Sequence, residues 1–421
     1  QLDRGTLENH MAAEVERGGG RVWRGCRVEE VALNPAGHRL RLRSGRARPE
    51  VRARWLIDAS GRPGLLKRRL GLGRKVDHDV NAAWFRVPAR IKVDDWSSDP
   101  VWRGRVPTGN RWLSTTQLLG PGYWVWLIGL ASEVTSVGIV ADPALHPFES
   151  LNTFERALEW LRRKEPQCAR AVEAAGAPLD FRVLKHFALG CDRVYSADRW
   201  CLTGESGVFL DPLYSVGSDM IAVSNTLITD FVCRELEGDA EAPARLELAN
   251  HLYLGLFSHA MRTFQGQYPG LGRDDVVLAK IYWDLLIYWG LPGLLFFHEK
   301  FTDPDFLSRV RTQMQRLAAL DHQMQALFLR HGAEITDPEA TSDGGHLQFG
   351  AELVLGGRLD HDLGPFLAFT RDLHAGLDDL ALLARIEENV RFFERLAARV
   401  AAGIGTPPGA NPAGALITQC T

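Results

Sequence analysis

Two segments of the sequence end an apolar run with an acid and then turn through small residues. The first is the run 54–62 (RWLIDASGR), which has Asp58 and Gly61 in its turn. We predict a buried strand here, followed by a helix over Leu65–Leu70. Because open α/β sheets bind ligands beyond the carboxyl ends of their strands, a flat cofactor could approach this backbone closely. An ordinary strand–turn–helix corner explains the same residues.

The second segment (WCLTGESG) repeats this order and has Gly204 and Glu205 directly after the strand. An acid in this position can accept hydrogen bonds from sugar-like hydroxyls. Further along, a long helix begins at residues 216–219. The free N–H groups of its first turn would face any anion bound there. The alternative is a helix capped by Ser215 or Ser218, which needs no ligand.

Two tryptophans, Trp124 and Trp126, alternate within the apolar run 123–129. Alternate residues share one face of a strand, so both indoles would form a bulky apolar barrier. An aromatic strand packed in a core has the same pattern.

Together these motifs resemble those of the FAD-dependent monooxygenase and halogenase superfamily. DASGR (58–62) is similar to that family's Asp-Ala-Ser/Thr-Gly motif beside the adenosine of FAD. GESGVFLDPLYSVG (204–217) is similar to its Gly-Asp motif and to the Asp-Pro turn beneath the isoalloxazine. WVWLIG (124–129) is similar to the WxWxIP box of flavin-dependent halogenases, which is taken to separate the flavin from the organic substrate. The resemblance covers residues 2–236 and keeps the family's motif order.

The resemblance implies an α/β fold: a glutathione-reductase-like (Rossmann) FAD-binding domain with a β-rich substrate layer and a C-terminal helical annex. The residues that it implies for FAD binding are Arg4, Val28, Asp58, Gly61, Gly204, Glu205, Asp211, Pro212 and Gly217. The backbone of Val216 and Gly217 corresponds to the halide site. The catalytic positions are Trp124, Trp126 and Tyr214, and no metal is implied.

The sequence departs from the family pattern in several places. Glu205 replaces the usual Asp, and Gly129 replaces the Pro of the box. Tyr214 stands where some halogenases have a Glu that assists a catalytic Lys, which argues against indole-type tryptophan halogenation. No GxGxxG follows a strand, and none of the seven lysines corresponds to the halogenase Lys. Because the family has both before the helix that begins near Arg4, we expect roughly the first hundred residues of a two-βαβ FAD domain to be absent.

The implied activity is halogenation of an electron-rich aromatic or conjugated small molecule, either free or bound to a carrier protein. The reaction would use O2, a halide ion and reduced FAD supplied by a separate flavin reductase. Two alternatives remain open. A flavin monooxygenase or geranylgeranyl-reductase-like oxidoreductase on the same scaffold is favoured by Gly129 and Tyr214. A FAD-free binding protein is favoured by the missing phosphate-binding glycines.

The composition is that of a globular protein, with 421 residues of which 45% are hydrophobic and 24% charged. The net charge of −3 argues against nucleic-acid binding, and we interpret the arginine-rich stretch 21–54 as solvated strand faces. The six cysteines show neither CxxC pairs nor metal-ligand spacing, which predicts a cytoplasmic location. The longest apolar run, 285–297, is too short to cross a bilayer, and the polar residues 1–10 do not predict a signal peptide, so we expect no membrane contact.

The order of predicted elements fits this scheme. We predict a helix with Leu7, Met11 and Val15 on one face; strands over 22–26, 28–33, 40–42 and 51–58; β-rich structure over 79–142; helices over 151–175 and 217–236; and only helices thereafter, including an apolar stripe from Leu373 to Val400. The predicted domains are an FAD-binding part (1–75 and 180–240), a β-sheet substrate part (76–179), a helical region (241–402) and a flexible tail (403–421).

Overall fold

The computed structural model describes residues 1–106, 108–332 and 364–404. The helices are α1 Arg4–Arg17, α2 Leu65–Leu70, α3 Pro100–Gly104, α4 Phe154–Lys164, α5 Pro166–Ala174, α6 Val216–Glu237, α7 Ala242–Arg262, α8 Asp274–Tyr288, α9 Leu294–Phe297, α10 Pro304–Arg309, α11 Arg311–Gly332, α12 Gly364–Asp372 and α13 Asp379–Gly403. The strands are β1 Cys26–Ala32, β2 His38–Ser44, β3 Glu50–Ala53, β4 Leu56–Asp58, β5 Gly73–Arg74, β6 Asn81–Val87, β7 Thr116–Gly120, β8 Tyr123–Gly129, β9 Thr135–Ala141, β10 Asp180–Leu184, β11 Gly190–Cys191, β12 Tyr195–Ser196 and β13 Trp200–Leu202.

The chain forms two compact units. Unit 1 comprises Gln1–Leu118 and Val125–Met261 and contains most of the strands. Unit 2 combines Leu119–Trp124 with the described residues from Arg262 onward and is mostly helical. The domain boundaries given above stay a prediction, and the tail lies almost wholly outside the described residues.

Strands β1, β2 and β3 form an antiparallel meander. Alternation along β2 explains its packing, because Leu40 and Leu42 are buried while Arg39 and Arg41 face solvent. The arginine-rich stretch therefore does supply solvated strand faces.

A five-stranded sheet of order β10-β6-β9-β8-β7 forms the β-rich layer. Strand β6 pairs antiparallel with β9 along its whole length. Every second side chain of β6 is buried, and the Phe85 ring meets Phe154 of α4 edge-on at 5.0 Å between centroids. Thr153 caps α4 by accepting the Arg156 N–H at 3.3 Å, which ends the preceding loop and begins the covering helix.

Three sequence predictions about elements are wrong. The predicted strand 51–58 is two strands, β3 and β4, which belong to different sheets. Residues 22–25 are not a strand, because Gly25 adopts φ +66 in a turn and β1 begins only at Cys26. The apolar stripe is not one helix from Leu373, because Gly376 at φ +60 interrupts it and α13 begins at Asp379. As a result Leu380, assigned to the stripe, is 73% exposed.

Unit 2 is built on the packing of α8, α11 and α13. Trp283 of α8 meets Phe393 of α13 at 5.7 Å, and Phe369 of α12 lies 5.7 Å from the same Phe393 ring. Over the described ranges, no helix combines the length and hydropathy needed to cross a membrane.

Candidate functional site

The two acid-ended strands of the sequence are direct neighbours in the structure. Strand β4 pairs in parallel with β13, with Leu202 opposite Asp58, in a sheet of order β12-β13-β4. Beyond the strands, the Thr203 N–H donates to the Asp58 carbonyl at 3.0 Å. Both turns therefore leave the sheet at the same carboxyl edge, the position at which α/β sheets bind ligands.

The buried carboxylate of Asp58 shapes the first turn. Its Oδ1 accepts the Ser60 N–H at 2.8 Å, and its Oδ2 accepts the Leu66 N–H of α2 at 2.7 Å. It thereby satisfies an N–H at the start of α2 that the helix itself cannot. Gly61 takes φ +69, and a Cβ there would meet no atom within 4 Å. The backbone at Gly61 is thus open to close approach.

The second turn is a 3-10 turn over Gly204–Ser206, beginning with Gly204 at φ +60. Thr203 and Ser206 form a reciprocal capping box. The Ser206 hydroxyl also donates to the Asp58 carbonyl, so the second turn is tied directly to the end of β4.

An arginine that follows the first turn faces an acid of the second turn. Arg62 Nη1 is 3.8 Å from Glu205 Oε2 and donates to the Phe187 carbonyl at 2.7 Å. Burial lowers the pKa of Arg62, and the Glu205 charge acts in the opposite direction. Glu205, which replaces the family's Asp, therefore faces a cation supplied by the other motif.

Lys67 is a site residue that the sequence analysis missed. It lies on α2 and is only 6% exposed, and its Nζ donates to the Gly207 carbonyl at 2.7 Å. Burial, the largest cause, lowers the pKa of this ammonium, while Cys191 acts against the shift. Nothing in the run of Lys67, Arg68 and Arg69 indicates which basic side chain points inward, so the sequence carried no usable signal.

Asp211 forms a second buried cluster. Its Oδ2 lies 2.7 Å from His78 Nε2, and its Oδ1 accepts the Leu213 N–H at 2.9 Å. The Phe187 ring lies between His78, at 6.5 Å, and Phe209, at 5.8 Å. His78 was also missed by the sequence analysis, because 133 residues separate it from Asp211.

The start of α6 is strained. Tyr214 (φ 65) and Ser215 (φ 61) are consecutive non-glycine residues in the left-handed region, which costs on the order of 1–3 kcal/mol each. Ser215 occupies the N-cap position, but its side chain caps no N–H. Val216 and Gly217 are the first two residues of the helix, so their N–H groups belong to its positive end.

The two predicted barrier tryptophans differ in environment. Trp124 is buried, and its Nε1 donates to the Tyr268 hydroxyl at 2.9 Å. Trp126 is half-buried and donates to Ser136 Oγ at 3.2 Å. A Cβ at Gly138 would lie 2.1 Å from the Trp126 ring, so the absence of a side chain at Gly138 gives this indole its space.

Arg4 and Val28 lie on other elements of unit 1. Arg4 is on the exposed helix α1 and pairs with Glu8 at 3.0 Å, while Val28 is half-buried in β1. In the described part of the chain, no hydrogen bond or ion pair joins either residue to the two turns. Among all the residues that the structure describes, no group of three or more His, Cys, Asp or Glu side chains could hold a metal ion.

Comparison with known proteins gives a consistent family likeness. No family model matches the chain. It is 22% identical over 314 residues to a flavin-dependent halogenase, chlA, of Dictyostelium discoideum, which covers 71% of this chain and 50% of that protein. It is 27% identical over 225 residues to the 1H-pyrrole-2-carbonyl-[peptidyl-carrier protein] chlorinase of Pseudomonas fluorescens, covering 51% of this chain and 46% of that one. The chain thus spans about half the length of these relatives.

Solved halogenases share the fold. The structure of halogenase PltM with phloroglucinol and FAD superimposes with a TM-score of 0.58 at 15% identity, over 94% of this chain and 75% of that one. The flavin-dependent halogenase CmlS gives a TM-score of 0.55 at 19% identity, over 94% and 60% respectively. In sequence and fold the protein is therefore flavin-dependent halogenase-like, and the predicted α/β class with its FAD-binding fold is confirmed.

Proposed function

We propose that this protein is an FAD-dependent oxidoreductase that halogenates an electron-rich aromatic or conjugated substrate with reduced FAD, O2 and a halide ion. One observation carries the proposal: β4 and β13 are parallel neighbours, so their glycine turns open at one sheet edge. This edge fits FAD because Gly61 has open space where a side chain would stand. Reduced FAD, when bound, would supply two of the four electrons that O2 accepts, and oxidation of the halide would supply the other two.

Residues of this chain have distinct proposed roles toward FAD. Gly61 and Gly204 let the cofactor approach the backbone, and Asp58 keeps the first turn in shape. Glu205 is proposed to accept hydrogen bonds from flavin hydroxyls, and Arg62, 3.8 Å away, supplies a positive charge beside its carboxylate. Arg4, Val28, Asp211, Pro212 and Gly217 complete the proposed cofactor set.

The halide is proposed to bind at the start of α6. The N–H groups of Val216 and Gly217 lie at the positive end of a 22-residue helix, and the Ser215 side chain does not cap it. The left-handed Tyr214 and Ser215 turn the chain into this helix at a cost in backbone strain, as functional sites often do. Trp124 and Trp126 are proposed as the barrier between flavin and substrate.

Substrate and partners are proposed from the relatives. PltM binds phloroglucinol, an electron-rich ring, and two relatives are named for a pyrrole carried on a peptidyl-carrier protein. We therefore propose an electron-rich aromatic substrate, free or carrier-bound, and a separate flavin reductase. A cytoplasmic location is supported by the five described cysteines, all of which are free thiols.

A second candidate function is oxygenation of the substrate. Gly129 in place of the proline of the box favours it, and a Cβ at this position would lie 3.0 Å from the Trp112 carbonyl oxygen, which leaves little room for a proline ring. Tyr214 favours it also, since no carboxylate stands there to assist a lysine.

The test begins with flavin uptake. We expect the purified protein to bind FAD with a shift of the flavin absorption bands, and Gly61→Val to abolish this uptake. Gly45→Val is the matched control, since Gly45 also has a positive φ (58) and open space but lies in the meander. A protein that takes up no FAD would contradict the proposal and favour a FAD-free binding protein.

Turnover then separates the two enzymatic candidates. The protein is mixed with FAD, a flavin reductase, NADH, bromide and phloroglucinol, and the product mass is measured. Replacement of hydrogen by bromine supports halogenation. Addition of oxygen without bromine would support the monooxygenase and contradict the halogenase.

A further inference from the structure

The Lys67 ammonium is a buried charge with very little compensation. It is almost fully enclosed, and among the described residues its one hydrogen-bond acceptor is the Gly207 carbonyl at 2.7 Å, 140 residues away in sequence. Over the residues that the structure describes, no carboxylate lies within ion-pair distance of its Nζ. Fully buried lysines are nearly always paired, since an isolated charge in the interior is strongly destabilising.

The position of this charge connects the two glycine turns. Lys67 belongs to the helix that follows the first turn, and Gly207 ends the second turn. The Ser206–Asp58 hydrogen bond joins the same two segments, but it is a neutral contact. The strength of the Lys67 bond, in contrast, depends on a proton that can be removed.

We propose that Lys67 is a positioning residue of the flavin site, whose ammonium holds the Gly207 carbonyl so that the turns after β4 and β13 keep one relative geometry. This inference rests on the proposed function. It predicts that the flavin affinity of the folded protein depends on the charge of Lys67, which contacts the second turn at the Gly207 carbonyl.

The charge of Lys67 gives a pH dependence with a defined sign. Because burial lowers its pKa, Lys67 loses its proton at a lower pH than an exposed lysine, and the bond to Gly207 weakens there. FAD affinity should therefore fall as pH rises through this value. Stability should move in the opposite direction, because in this range the unfolded state binds more protons than the folded state. The titratable groups that face Lys67 are Cys191, Arg62, Asp58 and Glu205.

The experiment measures FAD dissociation constants by flavin fluorescence from about pH 7 to about pH 10.4, the ordinary pKa of a lysine, so that the titration of Lys67 falls inside the range. We expect Lys67→Met to bind FAD about tenfold more weakly at the lower pH, the size of one charge-assisted hydrogen bond. Its affinity should also lose the decline that the unaltered protein shows with rising pH. Lys75→Met is the control, because Lys75 is exposed and its substitution removes the same charge.

Denaturant unfolding of each protein over the same pH range separates positioning from simple stabilisation. A purely structural lysine would move affinity and stability together, whereas we expect them to move apart. Equal affinity of Lys67→Met and the unaltered protein would overturn the inference. A flat pH profile in the unaltered protein would overturn it without any variant. If the unaltered protein takes up no FAD at all, the proposed function fails and the inference fails with it.

Discussion

Each of the two units buries a lysine, and the two lysines are satisfied in different ways. In unit 2, Lys280 is 3% exposed, and its Nζ bonds Asp284 Oδ2 and Gln325 Oε1, both at 2.8 Å. Gln325 in turn donates to both Asp284 and Asp321. In unit 1, Lys67 has a single backbone carbonyl.

The difference teaches what each lysine is for. The unit 2 network joins α8 to α11 through side chains that hydrogen-bond one another, with Trp283 Nε1 donating to Asp321 at 2.9 Å. Burial raises the pKa of Asp284, and the Lys280 charge opposes the shift. Such a network fixes helix packing and exposes nothing to a ligand. Lys67 instead acts on the backbone of a turn at a sheet edge, where a ligand can respond to it.

The largest expected effect is the loss of the unit 2 cation. Lys280→Met leaves the buried Asp284 without its ammonium partner, and we expect the free energy of unfolding to fall by about 3–5 kcal/mol. Denaturant unfolding followed by circular dichroism measures it. The double variant Lys280→Met/Asp284→Leu should regain most of the loss. A single variant as stable as the unaltered protein would remove the contrast between the units.

An intermediate effect is expected at Asp211, a buried acid of unit 1. Asp211→Ala removes the carboxylate that contacts His78 Nε2 and accepts the Leu213 N–H, which should lower the free energy of unfolding by about 2–3 kcal/mol. The exposed Asp192 is the control, and Asp192→Ala should change stability by less than about 0.5 kcal/mol. Equal effects of the two substitutions would mean that the contacts of Asp211 with His78 and with the Leu213 N–H do not stabilise the protein.

A small effect on stability is expected at Lys67 itself. Lys67→Met removes one hydrogen bond but also an uncompensated buried charge, and these contributions oppose each other. We expect a net change in unfolding free energy within about 1 kcal/mol. The same substitution at Lys280 is the matched comparison. If both cost the same amount, Lys67 is a structural residue like Lys280.

The smallest effect concerns a partly exposed pair. The Trp55 indole N–H, 3.0 Å from Glu235 Oε2, lowers the pKa of Glu235, and Arg199 adds to this. A lowered carboxyl pKa contributes stability that is present above the ordinary pKa and is lost as pH falls through the lowered value. Glu235→Gln should therefore lose slightly more stability at about pH 7 than at about pH 3. An identical loss at both pH values would contradict this assignment.

Much of the local structure could be predicted from the sequence. The helix over Leu65–Leu70 and the strands that lead into the two glycine turns follow from apolar runs and turn residues that are adjacent in the chain. Local signals failed at Gly25 and Gly376, where a left-handed glycine ends an apolar pattern that periodicity alone would extend. The positions of turn residues were predictable, but the effect of those turns on neighbouring elements was not.

By itself, the sequence determined the acid-ended strands, the small residues after them and the tryptophan pair, because these depend on neighbours within a few residues. Only the tertiary structure decided that β4 lies against β13, that Lys67 rather than Arg68 points inward, and that His78 meets Asp211. Each of these contacts joins groups more than a hundred residues apart. Burial selects such partners through the cost of an unsatisfied charge, and a linear pattern does not record which side chains are buried together.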